Sequence, residues 1–292
     1  MNSADFNDIY ENLKGEFLAY SEKVFNNLNT ESKLAIAMKY SFFAGGKRVR
    51  PVLMLYTAKS LGGDINEVLP YAFALECMHT YSLIHDDLPA LDNDDLRRGL
   101  PTCHAKYGEA TAILAGDALL NLAFEHLLKN CRTERDIKAS LELAVSAGAM
   151  GMLEGQALDM ESEKSAFLGV ERLKKIEELK TAKFMTVPFT VPAILYCEEK
   201  EESFKSFGSA IGKLFQLADD YKDYCSTSEI IGKTAGKDQK EDKLSAVKIY
   251  GVNGLKEKIK SVVNTCIEMI KTLNLGEFLE QFTKRLGMQN EA

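Results

Sequence analysis

The sequence predicts an all-α protein, a single-domain bundle of about ten or more mostly antiparallel helices around a central cavity. Three observations carry that expectation. Apolar residues return at intervals of three and four through nearly every long segment. No stretch keeps the strict alternation of a half-buried strand. The 6 prolines and 20 glycines are too few and too scattered to mark a linker, so residues 1–292 are expected to fold as one domain.

Taken in order, Leu34, Ala37, Met38, Ser41 and Phe42 share a helical stripe that stops at Gly45-Gly46, a helix C-terminal signal. Pro51 starts the next helix. Asp64 with Glu67 reads as a capping box ahead of residues 68–85, a run so poor in charge that its helix belongs at the centre of the bundle. Residues 110–130 form a further helix, Thr133 with Asp136 opens another, and 171–196, 204–224 and 252–273 follow. The longer helices have about 20 residues and span roughly 30 Å, enough for a cavity to run along the bundle axis. Pro188 and Pro192 each remove one backbone bond and predict a kink in the 171–196 helix. The polar stretch 225–243 reads as a loop.

A net charge of −7 and a pI near 5.4 disfavour a broad basic face, so no nucleic-acid partner is expected and any phosphate must be met locally. Cys77, Cys103, Cys131, Cys197, Cys225 and Cys266 show no metal-ligand spacing and read as reduced thiols of a cytoplasmic protein. The acidic N-terminal stretch is unlike a secretory signal, and no charge-free apolar run reaches the roughly 18 residues of a membrane span, so no stable membrane insertion is expected.

Two carboxylate clusters lie in apolar helical surroundings: HDDLPALDNDD at 85–95 and LADDYKD at 217–223. Asp219 and Asp223 are one turn apart on a helix face, with Gln216 a turn earlier. Asp86 and Asp87 end the central helix, Pro89 breaks it, and Asp92 returns from a loop. Two like charges about 4 Å apart repel by roughly 4 kcal/mol at an effective dielectric of about 20, which makes such clusters costly without a cation. Hard oxygen donors without His or Cys suit Mg²⁺ completed by water and substrate phosphates. The glycine and terminal glutamate of a calcium loop and the Glu-x-x-His pairs of a di-iron bundle are absent. Lys47, Arg48 and Arg50 follow the Gly-Gly, and Arg97-Arg98 follows the first acidic cluster; cations beside metal-binding carboxylates suit a diphosphate held from both sides. His79, seven positions before Asp86, shares its helix face.

These residues together resemble the trans-prenyltransferase, or polyprenyl diphosphate synthase, family. The resemblance runs through GGKRVRP (45–51), LECMHTYSLIHDDLPALDNDDLRRGLPTCHAKYGEATAILAGDALL (75–120), GQALD (155–159), LKTAKF (179–184), FQLADDYKD (215–223) and GKTAGKD (232–238). It implies an isoprenoid-synthase bundle, usually a homodimer, that condenses isopentenyl diphosphate head to tail with dimethylallyl or geranyl diphosphate using about three Mg²⁺ ions. It implies Asp86, Asp87, Asp92, Asp219, Asp220 and Asp223 as the metal set, and Lys47, Arg50, His79 and Arg98 around isopentenyl diphosphate. Arg97, Lys180, Lys233 and Lys243 fall around the allylic diphosphate. Gln216 and the carbonyls of Lys180 and Thr181 form the catalytic set facing the developing carbocation. Around Lys243 the chain reads EDKLSAV where relatives often have GK-x-T-x-P. Tyr81 and Ser82, five and four positions before Asp86, fall where a bulky ring stops elongation, which goes with farnesyl diphosphate as product. A small residue there goes with geranylgeranyl diphosphate, and a terpene cyclase is the rival that needs no second diphosphate pocket. Pro188 frees the carbonyl of Phe184, so nothing in the sequence accounts for exposed carbonyls at 180 and 181.

Overall fold

The computed structural model describes residues 1–28, 31–163, 170–225 and 246–288. Helices α1 (Ser3–Asn26), α2 (Lys33–Phe42), α3 (Val49–Ser60) and α4 (Ile65–Asp86) lead to a minimal hairpin, β1 (Leu96–Arg97) with β2 (Leu100–Pro101). The short α5 (Cys103–Tyr107) precedes α6 (Glu109–Asn130), α7 (Glu134–Ala147), α8 (Met152–Glu163) and α9 (Val170–Glu177). A π-helical segment (Glu178–Ala182) joins α9 to α10 (Lys183–Tyr196). Then come α11 (Glu201–Cys225), α12 (Ala246–Leu273) and α13 (Glu277–Met288). The expected all-α bundle is what forms.

α4 is the axis because its sequence offers water almost nothing: every residue from Val68 to Met78 is buried. It packs between α3 and α6, while α10 packs on α3, α7 and α11. Phenylalanines clamp α1, α2 and α4 together, with ring centroids of Phe25 and Phe42 4.9 Å apart and of Phe42 and Phe73 5.6 Å apart. Asp64 caps α4 by accepting from the Asn66 amide at 2.8 Å. The anticipated capping box is not made there, because the Glu67 carboxylate accepts instead from the Tyr196 hydroxyl at 2.9 Å. The full box occurs at α7, between Thr133 and Asp136. Arg48, in a left-handed conformation (φ 54°), precedes α3, so Pro51 is the helix's third residue rather than its first. α12 is interrupted at Gly251 (φ 65°), and its regular run begins where the sequence places it.

The prolines expected to kink α10 do not interrupt it. α10 runs unbroken through Pro188 and Pro192, and the irregular bonding lies upstream at Glu178–Ala182. A ladder that changes from i→i+4 to i→i+5 spacing and back skips one carbonyl. Two glycines give this segment its room: a Cβ at Gly155 of α8 would lie 2.2 Å from the Lys180 nitrogen, and one at Gly212 of α11 would lie 2.5 Å from the Ala182 Cα.

α6 is long and apolar enough, by length and composition, to cross a membrane, yet Ala112, Ala115, Leu119 and Ala123 bury one face inside the bundle. Its other face leaves Leu114 57% and Leu128 73% exposed, and on α7 Ile137 and Leu141 are 62% and 59% exposed.

Gly212→Ala is expected to destabilise the protein by about 1–3 kcal/mol in denaturant unfolding, since the backbone of the π segment must move. Gly15→Ala on α1, where nothing lies within 4 Å of the added carbon, is expected to stabilise it by about 0.5–1 kcal/mol.

Candidate active site

The first acidic cluster is built by the end of α4. Asp86 is its last residue and Asp87 its cap, and the chain beyond Pro89 folds back: the Asp92 amide donates to the Asp86 carbonyl at 2.9 Å and the Asp94 amide to the Asp87 carbonyl at 3.2 Å. The hairpin then returns Arg97, whose Nε lies 2.8 Å from both Asp87 carboxylate oxygens. Burial pulls the Arg97 guanidinium down, but Asp87, with Asp86 and Asp94, holds it above the ordinary arginine value. Asp87, 2% exposed, is thus engaged with a residue expected at the allylic diphosphate.

α8 carries two contacts whose roles the sequence does not announce. Gln156 Nε2 donates to Asp86 Oδ1 at 2.5 Å, and Lys180 Nζ donates to Asp159 Oδ2 at 2.6 Å. Their three-residue spacing, one face of a helix, is the signal that pairs them. Burial works against the Lys180 charge, but Asp86, Asp159 and Asp92 outweigh it and raise its proton affinity, so Lys180 stands beside the first acidic cluster. Thr181 follows it in the π segment.

On α11 the expected grouping of Gln216 with Asp219 and Asp223 is redrawn. Gln216 Nε2 donates to Asp220 Oδ1 at 2.8 Å, and Asp220 Oδ2 accepts from the Ala246 amide at 2.8 Å, which ties the motif to the start of α12. Lys222 is lowered by burial and by Lys47, against the pull of Asp219 and Asp223.

The cationic residues gather where α2, α3, α4 and the hairpin meet. Arg50 Nη1 is 3.4 Å from His79 Nε2, its guanidinium lies 5.6 Å from the Phe184 ring centroid, and its buried Nε has no partner. Burial, then Arg50, Arg98, Arg97 and Arg48, push His79 well below the usual range and leave it neutral at pH 7. Arg98 Nη1 donates to the Gly45 carbonyl at 2.6 Å and lies over Gly46, where a Cβ would come within 2.6 Å of the guanidinium. Desolvation lowers Arg50; Glu76 opposes that, Arg98 adds to it, and Asp219 also opposes it, so the second acidic motif faces this cluster. Arg48 is turned away from the group into a buried ion pair with Glu76, 2.6 Å long. Beside the cluster, a cavity of about 510 Å³ opens between α1, α11 and α13, bordered by Tyr10, Lys47, Phe215 and Lys222.

Tyr81 is buried on α4, its hydroxyl has no partner, and its ring meets that of His85 edge-on at 5.8 Å; Ser82 Oγ donates to the His79 carbonyl of its own helix. Lys233 and Lys243 lie outside the described residues.

Among the described residues no three His, Cys, Asp or Glu side chains converge into a metal cage. The donor set still fits Mg²⁺, which takes one or two carboxylates and completes its shell with water and phosphate oxygens. Asp86 and Asp92, adjoining through their backbones, and Asp219 and Asp223, one turn apart, are such donors.

A family profile described as polyprenyl synthetase matches residues 31–282. The chain is 46% identical over 233 residues to a heterodimeric geranylgeranyl pyrophosphate synthase large subunit of Arabidopsis thaliana, covering 78% of this chain and 62% of that protein. It is 42% identical over 247 residues to a farnesyl diphosphate synthase of Micrococcus luteus, covering 83% and 84%. A solved geranyltransferase of Helicobacter pylori, complexed with magnesium and isoprenyl diphosphate, superposes with a TM-score of 0.78 at 31% identity over 94% of this chain and 96% of that one. Fold, paired acidic motifs, cationic cluster and these likenesses agree: the chain belongs to the polyprenyl synthetase family.

Proposed function

We propose that this protein joins isopentenyl diphosphate head to tail to dimethylallyl or geranyl diphosphate and releases (2E,6E)-farnesyl diphosphate. One observation carries the reading: a carboxylate cluster, which takes up a diphosphate only through a cation, and an arginine cluster, which takes one up directly, face each other, with Asp219 acting on Arg50. Two diphosphates need two such sites, one metal-assisted and one not. A terpene cyclase has work for only the first.

Asp86, Asp92, Asp219 and Asp223 are the residues to hold Mg²⁺, as the magnesium in the Helicobacter pylori relative supports. When bound, Mg²⁺ supplies charge neutralisation for the departing diphosphate. Asp87 serves through Arg97, which it orients toward the same leaving group beside Lys180. Lys233 and Lys243 complete this group in the reading drawn from the sequence. Lys47, Arg50, His79 and Arg98 hold isopentenyl diphosphate; a neutral His79 donates one hydrogen bond without adding to the crowding of the arginines.

The allylic C–O bond breaks and pyrophosphate leaves with the electron pair. The terminal alkene carbon of isopentenyl diphosphate attacks the cation, which moves the positive charge to the methyl-bearing alkene carbon; the CH2 next to that centre loses a proton to the released pyrophosphate, and its C–H electron pair forms the new double bond. The cation needs dipoles and dryness rather than a base. The π segment supports that role for the Lys180 and Thr181 carbonyls, because its bonding leaves a carbonyl outside the helical ladder. Gln216 turns its amide NH₂ to Asp220, which orients its own carbonyl oxygen oppositely. Tyr81, bulky and buried on α4, closes the path of the growing chain. A second copy of the chain covers the exposed apolar faces of α6 and α7, giving a homodimer.

With Mg²⁺, purified protein is expected to consume isopentenyl diphosphate together with either primer, and chelation is expected to stop it; a cyclic hydrocarbon formed from farnesyl diphosphate alone would overturn the reading. Asp86→Ala and Asp219→Ala are each expected to lower kcat by about 10²-fold or more with an unchanged circular dichroism spectrum. Tyr81→Ala is expected to shift the dephosphorylated product beyond C15 in chromatography, and a wild-type product already at C20 would place the floor elsewhere.

A further inference from the structure

Arg48 and Glu76 are 5% and 2% exposed and form an ion pair of 2.6 Å inside the protein. The pair joins three elements. Arg48 Nη2 also donates to the Phe42 carbonyl at the end of α2, Arg48 itself is the left-handed residue before α3, and Glu76 sits in the middle of α4. One turn after Glu76 comes His79, which meets Arg50. From outside, Arg98 grips the same turn through the Gly45 carbonyl. The 45–48 turn is therefore held by an arginine on one side and a carboxylate on the other.

Stability alone does not account for this arrangement. A buried ion pair is commonly matched or exceeded in stability by apolar residues of similar volume, whereas removing one partner leaves a charge stranded. Here the stranded charge would be a guanidinium among Arg50, Arg97 and Arg98, each of them needed elsewhere. Arg48 released from Glu76 keeps the carbonyl and the ring face of Phe42 but no carboxylate, and is repelled by Arg98. The turn that carries Lys47 moves with it.

Resting on the condensation proposed above, we propose that Glu76 is a positioning residue for the isopentenyl diphosphate pocket: by neutralising and locking Arg48 it fixes the 45–48 turn, so that Lys47, Arg50 and Arg98 are held around one diphosphate. Glu76 itself touches no substrate.

Two variants test this, Glu76→Gln and the apolar exchange Glu76→Leu/Arg48→Met, which removes both charges and keeps the fold measurable should the single variant fail to fold. Inorganic pyrophosphate, titrated calorimetrically without divalent metal, reports the arginine-lined pocket directly, because the carboxylate site then has no cation. Both variants are expected to weaken pyrophosphate binding and raise KM for isopentenyl diphosphate by about tenfold or more, while KM for the allylic substrate and the Mg²⁺ requirement stay within about twofold. A doubly substituted protein that melts like the wild type and keeps wild-type pyrophosphate affinity and KM would reduce the pair to a packing role. Parallel increases in both KM values would also overturn the proposal. A wild-type protein that binds pyrophosphate but never consumes isopentenyl diphosphate overturns the condensation instead, and leaves the calorimetric comparison to judge Glu76.

Discussion

The contact between Asp87 and Arg97 is the constraint on which the rest of the site depends. The stretch 86–95 contains Asp86, Asp87, Asp92, Asp94 and Asp95, and a loop so charged resists closing on itself. Arg97 removes that obstacle by gripping both oxygens of the innermost carboxylate, at 2.8 Å each, at a place where 2% exposure leaves little water to screen the attraction. With Asp87 neutralised, backbone bonds fold the loop onto the end of α4 and bring Asp92 beside Asp86. Gln156 donates to Asp86 there, and Lys180 stands close enough to feel both carboxylates.

Parts of the fold were legible because they are governed by local chemistry. The scarcity of charge over residues 68–85 announces a central helix, and α4 is buried without a break from Val68 to Met78. Thr133 and Asp136 cap α7 with atoms three residues apart, and Gly251 interrupts α12 through its own backbone. Other parts depend on residues remote in sequence. Glu67 is taken by Tyr196, 129 positions away, so no inspection of the Asp64 region reveals that its capping box fails. The letters of 178–182 read as ordinary helix, and the π bonding shows itself only when Gly155 and Gly212 are seen to crowd that backbone. Strands of two residues are too short to alternate.

The site divides in the same way. Aspartates clustered in apolar surroundings identify themselves, because their cost demands a cation whatever the fold. Assigning them to two diphosphates came from the likeness of motifs, and spacing alone did not supply it. Gln156, Asp159 and Glu76 were overlooked as individuals, and Arg48 was read as one of the phosphate-facing cations, because what each does is defined by a partner on another element: Gln156 reaches Asp86 across 70 positions and Arg48 reaches Glu76 across 28. Gln216 shows a subtler difference. Neighbours at three and four positions share a helix face almost equally, and only the structure decides that its amide goes to Asp220.

The π segment has a consequence for how α10 relates to the chain before it. One surplus residue in a helix rotates everything downstream by about 100°. α9 and α10 are therefore offset in phase by the segment that joins them. Each half is free to drift in sequence against its own neighbours. The π segment sets that offset, and because α10 is buried on every side from Phe184 to Ile194, trimming one residue from 178–182 would re-aim all of those side chains at once.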